Sequence, residues 1–428
     1  MEKLKDEITS GVRFHFLEGN KFKTNVIGLL IRTNLCRENA TKIALLAEVL
    51  KSGCKKYPSK QKVEIQMEEL YGSIFDISVI KKGEEQILFF YLEMIKNEKE
   101  LFEKGIQFLN EILFFPLAEN GKFSDEIVNR EKESLRRKIK MKSDNKKEYA
   151  KLRCIEEMCK NEPFGVYGDG YEEDLDEINS KNLYEFYLKL MKDAPIEIIV
   201  SGESEKETFQ QLEKKFCFKR QTYKEIERKR NTKKIEKVQE VIEEKQVLQG
   251  KLCIGYRSNS QPVGKDFYSL LVFNEILGAG ASSRLFAEVR EKEGLCYYVN
   301  SILYRFKSII VVQSGIDASK FKKVAEMIQK VIQNLKTDTI EQEELENAKK
   351  SLLKHYNSLS DYQTGIMDFY MNEYLLETKE SLKDFVKNIQ AVKAESINQI
   401  AKGLEQDTIY FLCPEGGEKS VSNDCEAR

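Results

Sequence analysis

The chain is short of the residues from which most metal and acid–base sites are built. Of its 428 residues only two are histidine, His15 and His355. They lie in different halves, and neither falls in a His-x-x-x-His frame that would set two imidazoles on one helical face. Neither stands beside a nucleophile in a recognisable motif, which argues against a hydrolase of the serine or cysteine kind. An ordinary core or surface histidine is the simple reading of each. A net field is missing too: 70 Lys and Arg against 71 Asp and Glu leave a formal charge of −1. Nothing global therefore draws the chain to nucleic acid or to a membrane surface. No run of about 18 apolar residues occurs, so no transmembrane helix is expected. The opening MEKLKDEITSGVRF has no apolar core behind its charges and does not read as a secretory signal. The nine cysteines are odd in number and scattered. The nearest pair, Cys154 and Cys159, has no recognised metal or redox spacing, so reduced thiols in a cytoplasmic protein are expected.

What is present is a repeat. A length of 428 residues suits two domains of about 200 each. In the first half, extended apolar runs at Val12–Leu17 and Asn25–Thr33 precede a helix from about Thr41 to Ser52, with Gly53 placed to stop it. A helix near Lys62–Leu70, a hairpin at Ile74–Ile80 and Gln86–Ile95, and a helix carrying Leu101, Ile106, Leu109 and Leu113 follow. Asn97 is placed to cap the last of these, and Ser124 a long polar helix to about Lys140. A helix near Lys181–Met191 and a strand at Ile196–Ser201 close the half. The second half retraces the order. A strand at Lys251–Arg257 leads to helices at Asp266–Leu277 and Ser282–Glu291, then to a hairpin at Tyr298–Arg305 and Ser308–Gly315. Long helices follow at Ser319–Leu335 and Ile340–Asn357, and a last helix and strand at Ser396–Gly403 and Thr408–Cys413. Duplication explains the match in order and length. The expected class is α+β: two tandem domains, residues 1–218 and 247–428, each an antiparallel sheet backed by helices, joined by a charged linker at 219–246.

The densest chemistry lies in Gly278–Tyr298, GAGASSRLFAEVREKEGLCYY. Gly278 and Gly280 either let backbone amides approach a peptide or make a tight turn between helices. No Gly-Lys-Ser/Thr follows, so this is no phosphate loop. Arg290 near a helix end and Tyr297 at a strand start are hydrogen-bond donors at neutral pH. Taken singly each also suits a structural role, since a helix C-terminus favours Arg and a strand rim suits Tyr. The segment resembles the second-half signature of the M16 (insulinase/pitrilysin-type) zinc peptidases. Phe164-Gly165 with Gly168, and EQEELENAKKS at 341–351, carry the likeness further along the chain. In that family an Arg and a Tyr at the spacing of Arg290 and Tyr297 hold the substrate carbonyl.

The likeness implies two domains of the metallohydrolase fold shared by the LuxS and mitochondrial processing peptidase types. It also implies a zinc site in the first half, written His-x-x-Glu-His with a Glu on a later helix. Here Ala44 and Glu48 stand at the histidine positions, Ala47 at the general base, and Lys138 at the third ligand. Two methyls and an ammonium cannot ligate a cation, so no metal is expected in this chain. The resemblance points to an inactive homologue of the M16B kind, similar to the zinc-less Firmicutes type associated with elongation factor P modification. It implies a non-catalytic subunit of a bacterial heterodimeric metallopeptidase. A homologous partner with His-x-x-Glu-His would supply zinc, and this chain would supply Arg290 and Tyr297 to a peptide substrate. The alternative is an inactive scaffold protein with no part in proteolysis. Basic residues outnumber acidic ones between Arg130 and Arg153, but no aromatic platform is interleaved. A solvated helix flank is expected there rather than a nucleic-acid surface.

Overall fold

The structure, a computed structural model, describes residues 5–19, 21–96, 99–202, 214–226, 235–378 and 380–415. Asn97 and residues 227–234 of the expected linker lie outside them. The first half runs β1 (Lys5–Thr9), β2 (Val12–Glu18), β3 (Thr24–Asn34), α1 (Arg37–Lys51), α2 (Lys60–Glu69), β4 (Ile74–Lys82), β5 (Glu85–Ile95) and α3 (Lys99–Phe114). It continues with the short strands β6 (Ala118–Glu119) and β7 (Lys122–Phe123), then α4 (Asp125–Asp144), α5 (Lys146–Met158), α6 (Ser180–Asp193) and β8 (Ile196–Gly202). The second half runs β9 (Gln239–Lys245), β10 (Gly250–Ser258), α7 (Lys265–Asn274), β11 (Cys296–Tyr304), β12 (Ile309–Ile316), α8 (Phe321–Thr337) and α9 (Gln342–Leu359). It ends with α10 (Gln363–Leu375), α11 (Leu382–Gln390), α12 (Ala394–Lys402) and β13 (Leu404–Pro414).

The strands form a six-stranded sheet, β1-β2-β8-β3-β5-β4, and a five-stranded sheet, β11-β12-β10-β13-β9. Leaving out β1, the two orders are the same when the halves are superposed: β2, β8, β3, β5, β4 correspond to β9, β13, β10, β12, β11. The duplication read from the sequence is thus a duplication of topology. One detail departs from the antiparallel expectation. Each sheet holds one parallel pair, β2 with β8 and β9 with β13. The closing strand of each half returns after a series of helices, a connection long enough to bring it in alongside its neighbour in the same direction.

The central strand β3 is buried from Asn25 to Arg32, as a strand covered on both faces must be. Ile27, Leu29 and Ile31 point into a core with Leu45 and Leu46 of α1 and Ile106 and Leu109 of α3. The opposite face of the same strand meets α10: a Cβ on Gly28 would lie 2.9 Å from the Met367 sulfur. The chain forms two compact units, and each draws on both halves. One comprises residues 1–142, 161–231 and 356–383; the other comprises 143–160, 232–355 and 384–428. Helix α5, from the first half, therefore packs on the second sheet, and α10, from the second half, on the first.

The two exchanged helices are keyed in alike. On the second sheet a Cβ on Gly255 of β10 would lie 2.6 Å from the Met158 sulfur of α5. Each sheet also buries an arginine of its central strand against a carboxylate two positions along the neighbouring strand. Arg257 donates through Nε to Asp407 at 2.5 Å and through Nη2 to the Met158 carbonyl at 2.8 Å, tying down the end of α5. Arg32 donates to Glu197 at 2.8 Å and in bidentate fashion to Glu85 at 2.8 and 3.0 Å. His15 joins Glu197 at 2.6 Å and stacks on Tyr374 of α10 with centroids 3.9 Å apart. Burial pushes the Glu197 carboxyl up, but His15, Arg32 and Arg13 outweigh it and hold the group below the usual carboxylate range. His15 is thus a core histidine, while His355 is exposed on α9 in the other unit. The eight described cysteines are free thiols.

Candidate functional site

Two places carry the residues singled out in the sequence, one in each unit. In the first, α1 presents Ala44 and Ala47 to the core, 5 % and 2 % exposed. Glu48, on the α4 side of the same helix, accepts a hydrogen bond from the Lys138 ammonium at 2.5 Å. The carboxylate and the ammonium that the family pattern sets at two ligand positions are therefore each other's partners. This donor set does not fit a zinc ion. Its one carboxylate is already neutralised, the ammonium has no lone pair, and two methyls complete it. Among the described residues no group of three His, Cys, Asp or Glu side chains is placed to hold a metal ion. One turn further along α1, Ser52 donates to the buried Glu131 of α4 at 3.0 Å, and Lys60 and Arg130 reach the same carboxylate at 3.1 and 2.8 Å.

The basic stretch on α4 and α5 is largely paired within its own surroundings. Arg136 meets Asp176 at 2.9 Å, Lys140 meets Glu172 at 2.9 Å, and Lys142 meets Asp169. Arg37 lies over the Tyr171 ring at 3.4 Å and pairs with Glu173 and Asp174. The acidic loop after Phe164 is thus clasped to α1 and α4, and the basic stretch serves as its counter-charge.

In the second unit the signature segment departs from regular geometry at two points. After α7 the chain makes a π-helical stretch, Glu275–Ala279, and after the turn at Ser282 another, Phe286–Lys292. The sequence reading had carried ordinary helices through both. Gly278 and Gly280 are needed for close packing: a Cβ on Gly278 would meet the Ser301 nitrogen at 2.8 Å, and one on Gly280 the Glu275 carbonyl at 2.8 Å. Gly278 thus lets the first stretch pack on β11, and Gly280 lets the turn that follows it close tightly. Arg284 is pinned by a bidentate bond to Glu344 of α9, at 2.8 and 2.9 Å.

Arg290 sits in the second π-helical stretch with its side chain 44 % exposed, its guanidinium over the Phe286 ring at 5.0 Å. Gly294, at φ +59°, ends the helical segment. The chain then enters β11, an edge strand. The register of β11 against β12 shifts between Cys296 and Tyr298, so Tyr297 is the extra residue of a β-bulge and is 60 % exposed. A bulge re-aims the side chain it carries. Arg290 and Tyr297 thus stand at the two ends of one short turn, both open to solvent. Residues the sequence reading did not single out lie beside them. Tyr298 is half-buried, with the ammonium groups of Lys147 at 4.4 Å and Lys251 at 5.7 Å from its ring centroid.

Twin α+β units of one strand order define a metallopeptidase-type fold, and the positions expected to hold zinc carry two alanines and an internal ion pair. Comparison with known proteins agrees. The family model described as Peptidase M16 inactive domain matches residues 177–352. A Bacillus subtilis (strain 168) protein named "Probable inactive metalloprotease YmfF" is 33% identical over 410 residues, 94% of this chain and 96% of that protein. The chain belongs to the peptidase M16 family, among its inactive homologues. A second protein of that bacterium, "Uncharacterized zinc protease YmxG", is 27% identical over 313 residues, 70% of this chain and 73% of that protein. A crystal structure of a conserved protein from Enterococcus faecalis V583 superposes with a TM-score of 0.91 at 27% identity, covering 97% of this chain and 99% of that one. No helix among the described residues is long and apolar enough to cross a membrane.

Proposed function

We propose that this chain is the non-catalytic subunit of a heterodimeric M16-type zinc peptidase. A homologous partner carrying His-x-x-Glu-His would bind zinc and activate water, and this chain would offer Arg290 and Tyr297 to the carbonyl of a peptide held between them. The chain reads as two tandem M16-like domains, 1–218 and 247–428, with 219–246 as linker. Ala44, Ala47, Glu48 and Lys138 are the lost zinc positions of the first. The observation that carries the reading is the contrast between Glu48–Lys138, which satisfy each other, and Arg290 and Tyr297, which stand exposed at a bulged edge strand. One bacterium holding both an inactive-type and a zinc-protease relative supports pairing of unlike chains. Free thiols suit a cytoplasmic setting.

Guanidinium and phenol cannot activate water, but they can stabilise the oxyanion that forms when the carbonyl is attacked. One such preorganised donor contributes about 3–4 kcal/mol. Co-purification with a zinc-carrying homologue, metal analysis of each subunit and peptide turnover test the reading. Arg290→Ala and Tyr297→Phe are expected to lower turnover of the pair by about 10²–10³-fold without dissociating it. Unchanged turnover in both variants removes the proposed role. A stable complex with no turnover favours the scaffold reading.

A further inference from the structure

Arg284 and Arg290 stand six residues apart in one segment, yet they are held in opposite ways. Arg284 gives two N–H groups to the Glu344 carboxylate, at 2.8 and 2.9 Å. Arg32 is likewise held by Glu85 and Glu197, Arg257 by Asp407, and Arg153 by Glu156, Glu157 and Glu243. A guanidinium bound in this way has spent donors and a neutralised charge. Arg290 is different. The carboxylate it pairs with, Glu291, stands 4.0 Å from Nε, outside hydrogen-bond reach. The guanidinium lies instead over the Phe286 ring, at 5.0 Å.

The contact follows from the spacing. Phe286 and Arg290 are four residues apart in one helical stretch, so they are neighbours on its surface. Leu285 and Val289, one position before each, are fully buried and anchor the turn that carries the pair. Phe286 is half-buried and Arg290 exposed, so the ring forms a ledge between core and solvent. The face of a ring attracts a cation without accepting its in-plane N–H groups. The guanidinium donors stay available while the side chain loses freedom. A carboxylate in place of the ring would satisfy the donors that a peptide carbonyl needs. Fixed position with donors unspent is the requirement for stabilising an oxyanion.

We propose that Phe286 is the positioning residue of Arg290, holding its guanidinium by cation–π attraction and leaving its N–H groups to the peptide carbonyl. The inference rests on the role proposed for Arg290 and adds the residue through which that role is set. The first measurement is the Nε–H nuclear magnetic resonance signal of Arg290 in the full chain with isotope-labelled arginine, assigned by its loss in Arg290→Ala. The ring current is expected to shift it upfield; Phe286→Leu should abolish the shift and Phe286→Tyr should keep it. The second is turnover of the pair with the zinc-carrying homologue. Phe286→Leu is expected to lower kcat about three- to tenfold with KM little changed, and Phe286→Tyr to restore it. In the Arg290→Ala background Phe286→Leu should add nothing. Circular dichroism checks that each variant folds, and Phe286→Met replaces Phe286→Leu where it does not. A signal that Phe286→Leu leaves unmoved, a kcat that it leaves unchanged, or a loss that persists in the Arg290→Ala background overturns the positioning role and leaves that of Arg290 standing. Unchanged turnover in Arg290→Ala removes the carbonyl-binding reading itself, and the inference with it.

Discussion

Substituting Gly255 with alanine probes the way α5 is locked to the second sheet. The added methyl would lie 2.6 Å from the sulfur of Met158, a side chain with no exposed surface. Ordinary carbon–sulfur contacts need about an ångström more, so Met158 or the whole of α5 must shift. Overpacking of this kind costs about 1–3 kcal/mol. The restricted unfolded chain returns about 0.4–1 kcal/mol, leaving a net loss of about 0–2.6 kcal/mol. Met158→Ala alone removes a buried side chain and opens a cavity, at about 2–5 kcal/mol. In the double variant the new methyl occupies the space the sulfur leaves, so the overpacking disappears and the cavity shrinks. The double should therefore be no less stable than Met158→Ala alone, with a coupling of about 1–3 kcal/mol relative to the sum of the singles. Urea unfolding followed by far-ultraviolet circular dichroism measures all four corners of the cycle. Additivity within about 0.5 kcal/mol would refute the contact, and with it the assignment of α5 to the second unit.

The remaining predictions concern the lost metal site and the buried carboxylates. Installing Ala44→His, Ala47→Glu, Glu48→His and Lys138→Glu together should create a site retaining one zinc per chain after gel filtration, with none in the parent. A folded quadruple variant that binds no zinc would show that these four positions do not correspond to the family's ligands. Glu197, held below the usual carboxylate range among His15, Arg32 and Arg13, keeps its charge to lower pH in the folded chain than in the unfolded chain. Its stabilisation is complete above the unfolded value of about 4.3 and is lost as pH falls through the folded value. Glu197→Gln should lower stability near neutrality and flatten the fall in urea midpoint below about pH 4.5; an acid slope equal to the parent's would refute this.

The elements legible in the sequence are those whose environment is one-sided or uniformly apolar. β3 and β5 announce themselves as long apolar runs, and α3 and α8 as stripes of apolar residues at helical spacing. Three helices went unread: the exchanged pair and α11. Helix α10 buries Ile366, Met367, Phe369, Tyr370 and Met371 nearly all round, so no polar face marks its period. Helix α5, KKEYAKLRCIEEM, is charged enough to pass as a continuation of the polar helix before it. The parallel pairing of β8 with β2 was hidden for another reason: register between strands about 180 residues apart is set by everything folded between them. At the candidate site the sequence reading named Glu48 from its i, i+4 spacing with Ala44 and Lys138 from the family pattern, and the structure pairs the two side chains. The bulge at Tyr297 and the π-helical stretches could not be read, because one extra residue in a turn leaves the hydrophobic period almost intact.

For those irregularities the fold supplies its own control. The first unit repeats the same elements, with α1 and α2 regular throughout and β4 paired to β5 without a register shift. The corresponding stretch of the second unit contains both π-helical segments and the bulge. A π-helical turn gives up favourable hydrogen-bond geometry, and a bulge interrupts a strand ladder, so neither persists without compensation. Topology does not demand them, since the sister unit builds the same sheet without them. They occur in the copy that carries Arg290, within the second π-helical stretch, and Tyr297, at the bulge. The copy with Ala44 and Ala47 sunk in its core has kept its helices straight. On the reading proposed above, a chain that must hold two donors outward on one short turn has a reason for this asymmetry that a purely architectural chain lacks.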